Sequence, residues 1–264
     1  MIIAQLSDPH VDVDGTEFHN LYQTAEKFKV ALDKAANFSP KPDAIVITGD
    51  LVNCGDAPSY AILKDIIERT EIPVYLGMGN HDCRDTLRST FPDHSYIPKN
   101  GFIQYAWEMN GHKMIMLDTN IPGEPGGVLC KQRLEWLEKS LKEDPEKPTV
   151  IFMHHPPFKT GIKAMDDMGL ADAHKLGEIL EKHDQVIRIF CGHLHRSILS
   201  NFHGVQAQIC PSTTHNIVLH LEKSSRLATT SEPSEFLLHI WNDEGDIVTH
   251  NCFTEPSPIL WEKE

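Results

Sequence analysis

Five short apolar runs, each followed closely by a polar residue able to hold a metal or a proton, constrain the fold of this chain more than any other feature. Ile2-Ile3-Ala4-Gln5-Leu6 leads to Asp8, Ala44-Ile45-Val46-Ile47 to Asp50, and Val74-Tyr75-Leu76 to Asn80. Val150-Ile151-Phe152-Met153 leads to His154, and the run Val186 to Cys191 leads to His193. Short runs rich in β-branched residues, without polar alternation, predict strands buried on both faces, as in a sheet covered by helices. The polar residues then gather along one edge of the sheet, the carboxyl edge, where open α/β sheets bind ligands. A capping Asp or a loop His at one strand end is ordinary. Recurrence at five strand ends predicts a shared site.

Between these runs, apolar residues recur at helical spacing over Phe18 to Phe38, Tyr60 to Arg69, Leu129 to Leu141 and Leu170 to Lys182. After Gly192 the texture changes. Phe202 to Ile209, Asn216 to Leu221, Phe236 to Asn242 and Ile247 to Phe253 predict antiparallel strands, with Asn242-Asp243-Glu244-Gly245 as the turn joining the last two. Ser224 to Ser234 reads as a polar surface loop or cap element. With no low-complexity linker and no repeat, the expectation is a single α/β domain over residues 1–264, in which the stretch from about 216 to 264 forms a cap or a dimerisation extension.

The chain has 264 residues and 40% hydrophobic content, enough for one large core. No apolar stretch approaches membrane-spanning length, so no membrane partner is expected. The first residues lack a basic n-region and run straight into Asp8, which predicts a cytoplasmic protein. Six cysteines without a CxxC pair predict free thiols rather than a zinc ribbon or a disulfide framework. A formal net charge of −14 argues against a nucleic-acid polymer as substrate, because phosphate backbones are held by Lys and Arg clusters. A small phosphorylated molecule stays compatible, since bound cations can neutralise it.

The ligand-bearing stretches are Asp8-Pro9-His10, Gly49-Asp50, Gly79-Asn80-His81-Asp82, His154 and Gly192-His193-Leu194-His195. Imidazole, carboxylate and amide oxygen without thiolate suit borderline divalent ions such as Mn, Fe, Co or Zn. Neither a Gly-x-Ser-x-Gly elbow nor a P-loop is present, which leaves metal-assisted hydrolysis. Two cations can bind phosphoryl oxygens and acidify water, so hydroxide rather than a side chain is the expected nucleophile.

In this order the set resembles the calcineurin-like metallophosphoesterase superfamily, and the resemblance runs from Ile2 to about His215. Gly49-Asp50-Leu51-Val52-Asn53-Cys54-Gly55, Phe152-Met153-His154-His155-Pro156-Pro157 and Ile189-Phe190-Cys191-Gly192-His193 are similar to the class III cyclic nucleotide phosphodiesterase and glycerophosphodiesterase branch. The resemblance implies two mixed β-sheets packed face to face and flanked by helices, a four-layer αββα fold. It implies one metal on Asp8, His10, Asp50 and His195 and a second on Asp50, Asn80, His154 and His193, with Asp50 bridging and Mn or Fe the first choices. The implied reaction is hydrolysis of small phosphodiesters, 3′,5′-cyclic nucleotides or glycerophosphodiesters, with homodimerisation as in related enzymes. Phosphomonoester hydrolysis and a non-enzymatic interaction module are the alternatives.

His81 lies outside the implied ligand set and is read as the general acid for the leaving alkoxide, with Asp82 orienting its ring. Asn53, His81 and His215 are read as substrate-binding residues. His155 is expected to point off the site, and His19 and Cys54 to reach its rim at most. Asn53 stands where purple acid phosphatases carry a ligating Tyr, which excludes that branch.

Overall fold

The computed structural model describes residues 1–222, 226–242 and 244–263. In chain order, β1 (Ile2–Leu6) precedes α1 (Glu17–Tyr22), α2 (Thr24–Ala36), β2 (Ala44–Ile47), α3 (Ala57–Ile67), β3 (Val74–Leu76) and α4 (Arg84–Thr90). Next come β4 (Tyr105–Met109), β5 (His112–Met116), β6 (Gly127–Val128), α5 (Lys131–Glu143) and β7 (Thr149–Phe152). They are followed by α6 (Lys163–Asp166), β8 (Leu170–Ala171), α7 (Ala173–Leu180) and β9 (Val186–Cys191). The last part holds β10 (Ile198–Phe202), β11 (Val205–Ile209), β12 (Asn216–Ile217), β13 (Thr229–Thr230), β14 (Glu235–Trp241) and β15 (Ile247–Phe253).

Two mixed sheets form the framework, in the orders β15-β14-β1-β2-β3 and β10-β11-β9-β7-β5-β4. In the first, β1, β2 and β3 run parallel and β14 joins β1 antiparallel. In the second, β5, β7, β9 and β11 run parallel, while β4 and β10 are antiparallel edges. Side-chain alternation along β7 shows how the sheets stack. Val150 and Phe152 enter a core shared with Ile3, Ile45 and Phe28 of β1, β2 and α2, whereas Ile151 packs beneath Leu137 and Leu176 of α5 and α7. The runs are therefore apolar throughout because both faces are covered, and the layers are helix, sheet, sheet, helix. Phe152 meets Phe190 at 5.4 Å inside the shared core, so truncating it to Ala is expected to cost roughly 3–5 kcal/mol.

Several local readings differ from the sequence expectation. The helical pattern over Phe18 to Phe38 breaks at Gln23, which takes a left-handed φ of 53° and donates its N–H to His19. Leu170 and Ala171 pair with β6 before α7 begins. Phe202 to Ile209 is the tip and second strand of a hairpin turning at His203 and Gly204, both with positive φ, as two-residue hairpin loops require. Its second strand, β11, also pairs parallel with β9, so the texture here is mixed rather than antiparallel. Only Asn216 and Ile217 of the Asn216 to Leu221 run are strand. Within the Asn242 to Gly245 turn, Asp243 lies outside the described residues, as do 223–225 of the Ser224 to Ser234 loop.

Within the C-terminal stretch, read as a cap or a dimerisation extension, β14 pairs with β1 from Ile2↔Ile240 to Gln5↔Leu237 and extends the first sheet, with β15 outside it. What lies near the strand-end loops is the stretch before it, where Thr229 meets Tyr22 and Glu232 meets Arg196. Among the described residues no helix is long and apolar enough to cross a membrane.

Candidate metal centre

The carboxyl ends of the two sheets meet at one place. Gln5 Nε2 of β1 donates to the Cys191 carbonyl of β9, and the Gly192 N–H donates to the His154 carbonyl. Asp8 N–H donates to Gly49 O at 3.2 Å and His10 N–H to Asp50 O at 2.9 Å, so the first two loops brace each other. Glycine is required where they touch most closely: a Cβ on Gly79 would lie 2.1 Å from Asp50 Oδ1, and one on Gly192 2.2 Å from Ser7 Oγ. To turn back so tightly, Asp8, His10, Asp50, His193 and His195 all adopt positive φ, between 43° and 74°. Non-glycine residues in that region are strained, and such strain collects at functional sites.

Around this junction the polar side chains converge. His10 Nε2 is 3.2 Å from His195 Nε2 and 3.4 Å from Asp50 Oδ2. His195 Nε2 lies 3.4 Å from Asp8 Oδ1. Ligand atoms of Asp8, His10, Asp50 and His195 all fall within 4.8 Å of one another. On the other side, His154 Nε2 lies 3.3 Å from Asp50 Oδ2 and 3.2 Å from Asn80 Oδ1. Asp50 thus faces both groups. The His193 ring packs against His154 at 5.1 Å, and its backbone N–H donates to the Asp8 carboxylate at 3.0 Å.

Whether these residues fit a cation is decided by where their protons go. His154 Nδ1 donates to Thr48 O at 2.8 Å, His193 Nε2 to Met168 O at 3.1 Å, and His195 Nδ1 to His215 O at 2.9 Å. Each carbonyl takes one ring N–H and leaves the other ring nitrogen to a proton or a cation, the usual outer support of a metal-binding imidazole. The group is rich in acceptors, and the His10 Nδ1 atom is buried without a partner. Burial works against protonation of His154, yet the Asp50 and Asp8 carboxylates outweigh it and push the ring up to about 9. Burial likewise opposes ionisation of Asp50, but His154, His81 and His10 around it hold its carboxyl well below the usual range. The field is one that attracts positive charge, and the donor set fits divalent cations.

His81 stands at the mouth. Its Nδ1 donates to Asn53 O at 2.7 Å, its backbone N–H donates to Asp50 Oδ1 at 2.9 Å, and its ring lies 4.7 Å from that of His10. The expectation that Asp82 orients this ring is corrected. Asp82 is buried beneath the loop and accepts the N–H groups of Leu51, Val52 and Gly79 and the hydroxyl of Tyr60. Burial and then the charge of Asp50 push its carboxyl up to about 7. It ties two loops together, and the ring of His81 is oriented by the Asn53 carbonyl.

The Asn53 side chain is turned to Asp12 at 3.2 Å, although the residue lines the cavity beside His81. His215 lies 4.5 Å from the His195 ring and stacks on Tyr22 at 4.2 Å, with Phe18 edge-on, forming an aromatic rim. His155, expected to point off the site, bonds Thr119 Oγ1 and Pro125 O, yet its ring packs against His154 and His193 at 4.8 and 4.5 Å, and ligand atoms of the three lie within 4.8 Å of one another. His19 turns to Glu26, and Cys54 lines the cavity. Sequence reasoning passed over Asp12, which braces Asn53, and Asp118, which anchors Arg84 and Asn120 below the cavity. Asp118 carried the same signal as the others, a polar residue just past an apolar strand end at Leu117.

A family model for calcineurin-like phosphoesterases matches residues 1–197. A probable glycerophosphodiester phosphodiesterase of Arcobacter nitrofigilis is 31% identical, covering 100% of this chain and 98% of its own. A 3′,5′-cyclic adenosine monophosphate phosphodiesterase of Escherichia coli is 30% identical over 80% of this chain and 75% of its own. Among solved structures, a dimetal phosphatase from Danio rerio superposes with a TM-score of 0.69 at 13% identity, covering 97% of this chain and 96% of that one.

Proposed function

The chain belongs to the calcineurin-like phosphoesterase family, and on that premise we propose that it is a dinuclear-metal-dependent hydrolase of small phosphodiesters, 3′,5′-cyclic nucleotides or glycerophosphodiesters. One observation carries the reading. His154, His193 and His195 each commit one ring nitrogen to a backbone carbonyl, and the other nitrogen of His154 and His195 faces buried carboxylates, with the Asn80 amide oxygen beside His154. The diester class is supported by the names of the two relatives, each at least 30% identical.

In this reading Asp8, His10, Asp50 and His195 hold one ion and Asp50, Asn80, His154 and His193 the other. Mn or Fe are the first candidates, and Zn or Co also match the donors. When bound, the ion pair supplies Lewis acidity, neutralising phosphoryl oxygens and making water acidic enough to yield a nucleophile at neutral pH. The bond from the water oxygen to phosphorus forms as the bond to the leaving alcohol breaks, and the electron pair departs with that alcohol's oxygen. Protonated His81 gives up its Nε2 proton to that oxygen, while Asn53 O holds Nδ1–H and keeps the ring aimed. Asp82 and Tyr60 keep the loop carrying Asn80 and His81 against Asp50. The six free cysteines agree with a reducing, cytoplasmic setting.

The test is a side-by-side assay of Mn-reconstituted protein on bis(p-nitrophenyl) phosphate, p-nitrophenyl phosphate, 3′,5′-cyclic AMP and glycerophosphoethanolamine, with Asn80→Ala as control. Diester turnover lost in the control is expected. Preference for the monoester would make the protein a phosphatase of the same family, and inactivity with every metal would overturn the enzymatic reading.

A further inference from the structure

Beside Asn80 and His81 opens a cavity of about 670 Å³, walled also by Asn53, Arg84, Gly101 and Asn120. Nothing in the mechanism above uses its far wall. There the Arg84 guanidinium is fixed by Asp118, with Nε to Oδ2 and Nη2 to Oδ1 both at 2.7 Å, and by Asn120 O at 2.8 Å from Nη2. Its Nη1 has no protein partner among the described residues, and the side chain keeps 15% exposure at the cavity. Asp118 is fully buried and shared with a second cation, Arg133, whose Nη1 lies 3.6 Å from Oδ1. Both guanidiniums pack over Phe102, at 5.3 and 4.4 Å from its ring centre. Two fixed cations against one carboxylate leave about one net positive charge behind the wall, in a chain whose overall charge is −14.

The other cation at the cavity is already engaged. Arg88 donates to the carbonyls of Pro98 and Gly101 and to Asp85. The remaining lining is amide, glycine, cysteine and proline with two carboxylates, of which Asp85 pairs with Arg88 and Asp82 turns beneath its loop to three N–H groups, and its one aromatic face is the His81 imidazole. Such a space offers a nucleobase no platform beyond that one ring, and it offers an anion the unpartnered Nη1 of one fixed guanidinium.

We propose that this cavity receives the leaving alcohol of the diester and that Arg84 makes the enzyme select alcohols carrying their own anionic group, a carboxylate or a phosphate, over alcohols carrying a cation. The proposal rests on the phosphodiesterase reading and on His81 facing the leaving oxygen, since His81 and Arg84 border the same space. Arg84 is here a specificity-determining residue. A charge-assisted hydrogen bond of this kind is worth roughly tenfold to a hundredfold in kcat/KM.

The experiment compares Mn-loaded protein on the methyl phosphodiesters of glycolate, ethylene glycol and ethanolamine, following release of each alcohol, with bis(p-nitrophenyl) phosphate in parallel. The expected order is glycolate, then ethylene glycol, then ethanolamine, with glycolate at least about tenfold over ethanolamine. Arg84→Gln should bring that ratio close to one, and Arg84→Lys, which keeps the charge, should retain most of it. A wild-type ratio near one, or a ratio that survives Arg84→Gln, overturns the proposal even when bis(p-nitrophenyl) phosphate is turned over. Loss of turnover on every diester by the wild type would instead mark failure of the phosphodiesterase reading itself.

Discussion

Two clusters of buried polar side chains start three residues apart, one on β1 and one on the loop that follows it, and only one of them is complete. In the sheet interior, Gln5 Nε2 donates to Thr48 Oγ1 and Cys191 O, while Gln5 Oε1 accepts from His239 Nε2 at 3.0 Å. His239 Nδ1 meets the Thr249 hydroxyl at 2.9 Å, and Thr48 passes its own proton to Ser7. Donor matches acceptor at every atom of Gln5 and His239, as buried polar groups require. At the edge, starting from Asp8, ring nitrogens and oxygens crowd around buried carboxylates: His10 Nε2 against His195 Nε2, and His154 Nε2 against Asn80 Oδ1, both at 3.2 Å, with His10 Nδ1 buried and unpartnered. Histidine and amide side chains thus sit in a closed network in one place and an open one in the other. An open network of lone pairs and carboxylates is tolerable only with positive charge among its atoms.

The change expected to break this contrast most is Asp50→Asn. It preserves shape and removes the charge that faces both His10 and His154. Metal content measured by elemental analysis should fall to near zero, and diester kcat/KM should drop by roughly 10⁴-fold, the scale of losing several kcal/mol of charge stabilisation. Full metal occupancy in this variant would sink the assignment of Asp50 as the bridge. Asn80→Ala should act on one side alone. The Asp8, His10 and His195 group keeps both its carboxylates, so half of the bound metal should remain while turnover is lost. Loss of all metal, or of none, would show that the cluster does not divide into the two sets described.

His81→Ala probes the open side without touching a ligand. Release of an alkoxide needs a proton and release of p-nitrophenolate does not, so turnover of an alkyl diester should fall about 10²- to 10³-fold while bis(p-nitrophenyl) phosphate loses less than about tenfold. Equal losses on both would remove His81 from the acid role. Gly79→Ala acts through sterics, since the added methyl would meet Asp50 Oδ1 and the Asp50 amide at 2.1 and 2.2 Å. Forced overpacking of this kind should cost roughly 1–3 kcal/mol in denaturant titrations and loosen metal binding on both sides. An unchanged midpoint would mean that the loops can part without penalty.

How much of this could be read from the sequence depended on whether the signal was local. Strand ends at Asp8, Asp50, Asn80, His154 and His193 were legible because a doubly buried strand is apolar throughout and its first polar residue marks the exit. Asp118 follows the same rule, yet its strand contains His112 and Lys113, and the latter is buried against the Ser140 carbonyl and Asp144. A charged residue satisfied by tertiary contacts hid the run. The carbonyls of Thr48, Met168 and His215 that fix the ring tautomers have no sequence signature, because any residue supplies a carbonyl. Asp82 was misassigned for a related reason: adjacency to His81 suggested contact, while the backbone turns its side chain under the loop to three N–H groups.

The closed network makes the smallest and most separable prediction. Burial, with a further contribution from the positive charge of Arg188, holds the His239 ring down to about 3, against an ordinary value near 6.5 in the unfolded chain. Between those two values the unfolded state binds a proton that the folded state refuses, so stability contributed by neutral His239 is intact above about pH 6.5 and declines as the pH falls toward 3. Each pH unit inside that window is worth at most about 1.4 kcal/mol. Other groups of the chain also change charge as the pH falls, which is why the measurement must be a difference: denaturant unfolding of wild type and His239→Gln at pH 7, 6, 5 and 4. The glutamine can still pair with Gln5 but cannot take up a proton, so the variant should be less stable at pH 7 and should close the gap as the solution is acidified. A gap that stays constant would mean that His239 accepts its proton inside the sheet, and the interior network would then be as open to positive charge as the edge.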